Sequence, residues 1–251
     1  MSVLCARSLG PLPEIRAGDD LAELIVTALA GEGLTDGQLI AIAHKAVSKS
    51  EGAVVALADV EPGARALVLA AEQGKDPRAV QVVLDESVEL LRAERGVLIC
   101  RTRHGFVCAN AGVDASNAAA ADTVVVLPRD PDASARAIRA RLTELTGASV
   151  AVLISDSFGR AWRNGQQDVA IGLAGMQPLD DWRGRTDAAG LELRATWLAV
   201  ADAAAAAADL ARAKDSREPV VIVDGLERHL TASDGPGAAP LLRPLDEDLF
   251  R

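Results

Sequence analysis

The sequence predicts a mixed α/β fold, α+β in kind, with mixed sheets, and three observations predict it. Short apolar runs bounded by Gly, Pro or polar residues, such as 149–154 and 220–223, read as buried strands. Amphipathic runs opened by acids, at Asp19-Asp20 and at Asp76-Pro77, read as helices with favourable caps and dipole contacts. The two kinds of segment alternate irregularly, which favours a mixed sheet over repeated parallel βα units. The chain of 251 residues suffices for one large domain or two intertwined ones, with ample material for a core. Hydrophobic residues make up 49%, aromatics only 2%, and Tyr is absent, so the core must be packed with small aliphatic side chains.

Taken in order, residues 2–8 read as an edge strand and 19–30 as a helix. Residues 38–47 and 53–57 read as strands, followed by helices over 62–73 and 76–93. Residues 96–102 and 105–109 read as two strands around a turn at Arg103-His104, and 123–127 as another strand. Asp132 is the expected cap of a helix that runs to about Leu145 and stops at Gly147. Strands are expected at 149–154 and 169–173, the longest helix at 197–213, and a buried strand at 220–223.

Several functions are disfavoured. No run of about 18 apolar residues is present, so no membrane span is expected. The first residues carry a charge and prolines where a signal peptide would be apolar. A net charge of −10 argues against a nucleic-acid partner but leaves room for a phosphorylated small substrate. The three cysteines, Cys5, Cys100 and Cys108, form no CxxC pair and read as reduced thiols of a cytoplasmic protein. No GxGxxG follows the first strand and no GxxxxGK[ST] exists, so the common dinucleotide and P-loop solutions are absent.

Four polar segments interrupt this pattern. In His44-Lys45-Ala46-Val47-Ser48-Lys49, two lysines four apart suit a polyanion, or mark a solvated strand end; an extended chain would put Lys45 and Lys49 on one face and His44 and Ser48 on the other. In 110–117, small residues permit close backbone approach, and Asp114 and Asn117 are hard oxygen donors; an Asx-turn with a helix cap reads equally well. In 155–165, Asp156 and Ser157 stand at the carboxyl end of an apolar strand, where open α/β sheets bind ligands, and Arg160 and Arg163 could clamp a phosphate or carboxylate. The fourth, 180–187, is either a substrate loop or a salt-bridged surface turn.

HKAVSKSEG, NAGVDASN, PRDPDASA, SDSFGRAWRNGQQDVAIGLAG and DWRGRTDAAGLEL, with LPEIRAGDDL ahead of them, follow one another as they do in the coenzyme F-420 gamma-glutamyl ligases, and the chain resembles that family over most of its length. The resemblance implies an unusual mixed α/β ligase fold, an intertwined homodimer and a cytoplasmic enzyme. It implies addition of L-glutamate to the lactyl-phosphate tail of a deazaflavin coenzyme precursor, driven by GTP with Mg²⁺ or Mn²⁺ at two sites; K⁺ is a further candidate ion. Leu12, Pro13, Glu14, Ile15, His44, Lys45, Lys49 and Asn117 would line the nucleotide. Asp114, Asp156 and Ser157 would hold metal, with Arg160 and Arg163 adding catalytic charge. Residues 1–251 would form a single ligase unit without the nitroreductase-like domain that follows in some relatives.

Because ligation of a carboxylate to an amine is uphill in water, the expected route is an acyl phosphate that glutamate then intercepts. Three positions depart from the family pattern: Lys214, near an acidic metal ligand of some relatives, leaving Asp215 to be borrowed; Ala203 after Asp202 in the long helix; and Asp224 before Gly225. The rival readings are a non-catalytic nucleotide- or coenzyme-binding relative and an amide ligase with another acceptor. The first is disfavoured because gathered carboxylates repel without a metal.

Overall fold

The computed structural model describes residues 3–115 and 122–248. The elements in chain order are β1 (Cys5–Ser8), α1 (Leu21–Ala28), β2 (Leu39–Ala43), α2 (His44–Ser50), β3 (Val54–Ala56), α3 (Ala64–Gln73), α4 (Pro77–Asp85), β4 (Ser87–Glu94), β5 (Val97–Thr102) and β6 (Val107–Ala109). They continue with β7 (Thr123–Val125), α5 (Pro131–Thr146), β8 (Ala151–Arg160), β9 (Arg163–Ala174), β10 (Asp180–Asp181), β11 (Trp197–Leu198), α6 (Val200–Leu210) and β12 (Val220–Asp224). The fold is mixed α/β, as the irregular alternation predicts.

A five-stranded sheet in the order β1-β12-β2-β8-β9 forms the centre. Only the β2–β8 pair is parallel; the other three pairings are antiparallel. Its middle strands are covered on both faces, which is why they read as continuous apolar runs rather than alternating ones. Ile40, Ile42, Val152, Ile154 and Ile222 face α1 and α5, where Ile25 and Leu142 meet them. Their neighbours Leu39, Ala41, Leu153, Val221 and Val223 face α6. That helix presents Ala201, Ala204, Ala205 and Ala208, so its backbone lies close to the sheet. The alanine-rich composition thus has a structural use: a core without bulky aromatics.

A second layer of structure is inserted between β2 and β8. The sheet β4-β5-β6 packs against α3 and α4 through Ala66, Ala70, Val80, Val83, Leu98 and Cys100. The β3–β7 pair bridges it to the central part.

Several sequence expectations are corrected. Residues 76–93 are not one helix: α4 ends at Asp85 and β4 follows, paired with β5. Leu, Glu and Arg in 87–94 favour a helix locally, but hairpin pairing overrides that preference. Arg95 and Gly96 both have positive φ (54° and 76°), as a two-residue hairpin turn of the primed type requires. Residues 38–47 are not all strand, since the chain leaves the sheet at Ala43 and turns directly into α2. A short apolar run does not by itself distinguish the two states.

The cap of α5 is Asp130, which accepts from Ala133 N at 2.9 Å. Asp132 instead accepts from Leu173 N (2.8 Å) and Ala238 N (2.9 Å), tying the C-terminal segment to the sheet. At 16 residues, α5 is the longest helix among those described; α6 has 11 and starts at Val200, because Trp197-Leu198 pairs with β10. Residues 155–168 form a hairpin that extends β8 and β9. Among the described residues, no helix is long and apolar enough to cross a membrane.

Candidate functional site

A cleft of about 980 Å³ opens where the parallel pairing of β2 and β8 ends, with Ala43 and Ser155 side by side. This is the place where strands of open α/β sheets leave ligands room, because the chain diverges on each side. The segment from Leu12 to Ile15, the start of α2, Asp114, the inner half of the β8–β9 hairpin and the loop 212–219 form its walls.

In α2, residues four apart share a face, so the helix groups Lys45 with Lys49, and His44 with Ser48. Lys45 Nζ lies 2.6 Å from Asp114 Oδ2. Lys49 Nζ lies 2.7 Å from Glu14 Oε1, and this hydrogen bond holds the Glu14 carboxyl below the usual range. The buried His44 ring puts Nε2 3.2 Å from Asp156 Oδ1, with Nδ1 3.4 Å from Ser48 Oγ. Leu12 and Ile15 are buried anchors of the opposite wall, Leu12 N donating to Arg217 O at 3.0 Å.

Asp114 is set by an unusual backbone. Asn110, Ala111 and Gly112 are all left-handed (φ 50°, 53° and 73°), after which Asp114 exchanges both backbone hydrogen bonds with Val125 at 3.0 and 2.8 Å. Gly112 is required there: a Cβ would fall 2.7 Å from Leu127 Cγ. Non-glycine residues in this conformation cost energy and cluster at functional sites.

Asp168 is the central acid that the sequence reading missed. It sits on β9 directly opposite Ser157 on β8 and is 1% exposed. Ser157 Oγ donates to its Oδ1 at 2.6 Å and Ser155 Oγ to its Oδ2 at 2.8 Å; Arg212 also pairs with Oδ2, and Lys214 Nζ lies 3.3 Å from Oδ1. Burial alone would push the Asp168 carboxyl up, but the Ser157 hydrogen bond, the Arg212 charge, the Ser155 hydrogen bond and the Lys214 charge together bring it below the usual range. An acid immediately before the apolar run 169–174 was the only signal in the sequence; its partners became evident only through the hairpin register and the return of Arg212 after α6.

The structure therefore brings Leu12, Pro13, Glu14, Ile15, His44, Lys45, Lys49, Asp114, Asp156 and Ser157 to one cleft. Asn117 lies outside the described residues. Arg160 and Arg163 do not line the cleft. They flank the exposed hairpin tip, where Arg160 donates to Asn164 O at 2.8 Å. Four residues of strand carry the chain roughly 13 Å from Asp156 to Arg160, which takes both guanidinium groups away from the acids. The segment 180–187 is a salt-bridged turn: Arg183 pairs with Asp181 at 2.8 Å and stacks over Trp197.

None of the three cysteines lines the cleft. Burial, and next the Asp156 charge, push Cys108 up to about 12, and burial raises Cys100 as well. Of the remaining departures, Asp202 is held up by burial and accepts from Ala170 N at 3.0 Å, Ala203 is exposed, and Asp224 accepts from Gln38 Nε2 at 2.9 Å, away from the cleft.

Among the described residues, no group of three or more His, Cys, Asp or Glu side chains is placed to hold a metal ion. Asp114 and Asp156 nevertheless share the cleft and are hard oxygen donors. That set fits an ion of the Mg²⁺ kind, which keeps several waters and takes one or two carboxylates together with substrate phosphates.

Residues 10–225 match the family model described as F420-0:gamma-glutamyl ligase. The chain belongs to this family. Its similarity to individual members is nearly end to end. The coenzyme F420:L-glutamate ligase of Methanothermobacter thermautotrophicus is 46% identical over 243 residues, 96% of each chain. Those of Methanopyrus kandleri (45%, 96% of each chain) and Methanocaldococcus jannaschii (41%, 96% of this chain and 94% of the relative) are similar over the same span. For this gamma-glutamyl ligase family member, the matched region includes every wall of the cleft, from Leu12 to Pro219.

Proposed function

We propose that the protein is a GTP- and divalent-metal-dependent ligase that joins L-glutamate by an amide bond to the lactyl-phosphate tail of the deazaflavin coenzyme F-420 precursor. Family membership and the names of the relatives support the substrates and the bond formed. The observation that carries the reading is the cleft itself, in which α2 sets Lys45 against Asp114, Lys49 against Glu14 and His44 against Asp156.

A tail carboxylate oxygen attacks the γ-phosphorus, the bond to the β,γ-bridging oxygen breaks, and GDP leaves. The glutamate nitrogen then attacks the acyl carbon, the carbon–oxygen bond breaks, and phosphate departs while the amine proton is lost. Lys45 and Lys49 exchange Asp114 and Glu14 for phosphate oxygens, which accept stronger, charge-assisted hydrogen bonds. Arg217, on the same cleft wall, adds positive charge. Asp114 and Asp156 would hold Mg²⁺ or Mn²⁺, which would supply positive charge against the negative charge developing on the transferred phosphoryl group.

The same reading makes the protein a cytoplasmic homodimer. The outward face of the β4-β5-β6 sheet, with Val97 and Val107 exposed, supports a partner copy. A stable monomer in light scattering at micromolar concentration would count against it.

The decisive assay combines the deazaflavin precursor, GTP, Mn²⁺ and labelled glutamate. One GDP and one phosphate should appear per glutamate incorporated, and Asp156→Asn should abolish turnover without unfolding the chain. GTP binding without incorporation would leave a non-catalytic relative; incorporation only into another carboxylate would move the acceptor.

A further inference from the structure

We propose that the ammonium of Lys214 fills a cation position formed by Ser157, Asp168 and Asp209, so that this chain takes one divalent ion fewer than those oxygens would otherwise hold. The inference rests on the reading that the cleft binds a divalent ion with nucleotide, and in it Ser157 accepts from Lys214 where the family resemblance implies a metal ligand.

Lys214 Nζ lies 2.9 Å from Ser157 Oγ, 3.3 Å from Asp168 Oδ1 and 2.5 Å from Asp209 Oδ1. An ammonium has three donors and no acceptor, and here three oxygens from β8, β9 and α6 take them. The Ser157 proton is committed to Asp168 at 2.6 Å, so the hydroxyl turns a lone pair toward Lys214. A hard divalent ion would seek the same oxygens.

The charges are already balanced without one. Asp168 and Asp209 carry two negative charges, and Arg212 and Lys214 carry two positive ones, Arg212 lying 3.7 Å from Asp209 and paired with Asp168. A divalent ion added here would leave two uncompensated positive charges around a carboxylate that is 1% exposed. The position also borders the cleft that holds Asp114 and Asp156, so Lys214 supplies fixed positive charge beside the site proposed for the phosphates.

Lys214 itself is 65% exposed and follows the last turn of α6, so replacing it leaves the buried Asp168–Arg212 pair in place. The test is Mn²⁺ binding, read as loss of the free-ion paramagnetic resonance signal, for the full chain with and without GTP. Wild type is compared with Lys214→Glu and with Lys214→Gln, each checked for fold by circular dichroism. Lys214→Glu should bind one more Mn²⁺ per chain than wild type, and Lys214→Gln should gain the same site with weaker affinity. Equal numbers in wild type and both folded variants would overturn the inference. Should wild type bind no Mn²⁺ in either condition while Lys214→Glu gains one, the proposed metal dependence fails and the role of Lys214 stands. One ion in wild type and one in both variants is the reverse case.

Discussion

Asp168→Asn should destabilise the protein through Arg212 rather than through any lost ligand. The Arg212 side chain is 6% exposed and is compensated by Asp168 Oδ2, with further hydrogen bonds to Pro219 O at 3.0 Å and Ser155 Oγ at 3.1 Å. Neutralising the carboxylate leaves the buried guanidinium only the more distant Asp209, 3.7 Å away, and removing one partner of a buried pair costs about 3–5 kcal/mol. For a chain of this size, that lowers Tm by roughly 10 °C, at about 2–4 °C per kcal/mol. The pair should also appear in the pH dependence. Because the folded-state Asp168 carboxyl lies below its unfolded value, its contribution is fully present above the unfolded pKa of an aspartate, and it is lost as pH falls through the depressed folded value. Urea unfolding should therefore show wild type losing its advantage over Asp168→Asn only in acid. An Asp168→Asn/Arg212→Met double variant should recover much of the loss, since an apolar replacement of a buried pair is often neutral. A loss under about 1 kcal/mol at neutral pH, or no recovery in the double variant, would refute the reasoning.

Lys49→Ala should raise the KM for GTP or lower kcat by about ten- to a hundredfold, because a charge-assisted hydrogen bond is worth roughly 1.5–3 kcal/mol; ligand-free stability should move little, its partner Glu14 being half-exposed. Unchanged GTP affinity by titration calorimetry would leave Lys49 as a pair for Glu14 only. Gly112→Ala should cost roughly 2–4 kcal/mol in urea unfolding, from the Leu127 clash and the left-handed backbone, and should lower activity by displacing Asp114. At neutral pH, iodoacetamide should label the exposed Cys5 and spare Cys100 and Cys108, which are buried with raised pKa values; mass spectrometry that finds Cys108 labelled in the folded protein would contradict its burial.

By itself, the sequence determined the mixed α/β class, the strands whose apolar runs are buried on both faces, and the turns marked by Gly or Pro. It also singled out His44 to Lys49, Asp114 and Asp156: residue spacing left the first two segments open to a solvated strand end or an Asx-turn, and the ordered family motifs assigned them to the site. Tertiary structure decided the rest. Residues 87–94 have helical propensity and became β4 because β5 offers them a ladder and Arg95-Gly96 a turn. Residues 44–50 became a helix, and only that turn puts Lys45 and Lys49 side by side in the cleft rather than at a solvated strand end. Arg160 and Arg163 are near Asp156 in sequence but far along an extended hairpin, whereas Asp168, Arg212 and Lys214 are distant in sequence and meet Ser157 through pairing and chain return. Spacing in sequence measures distance only within a local element; across β8, β9 and α6, register and packing set it.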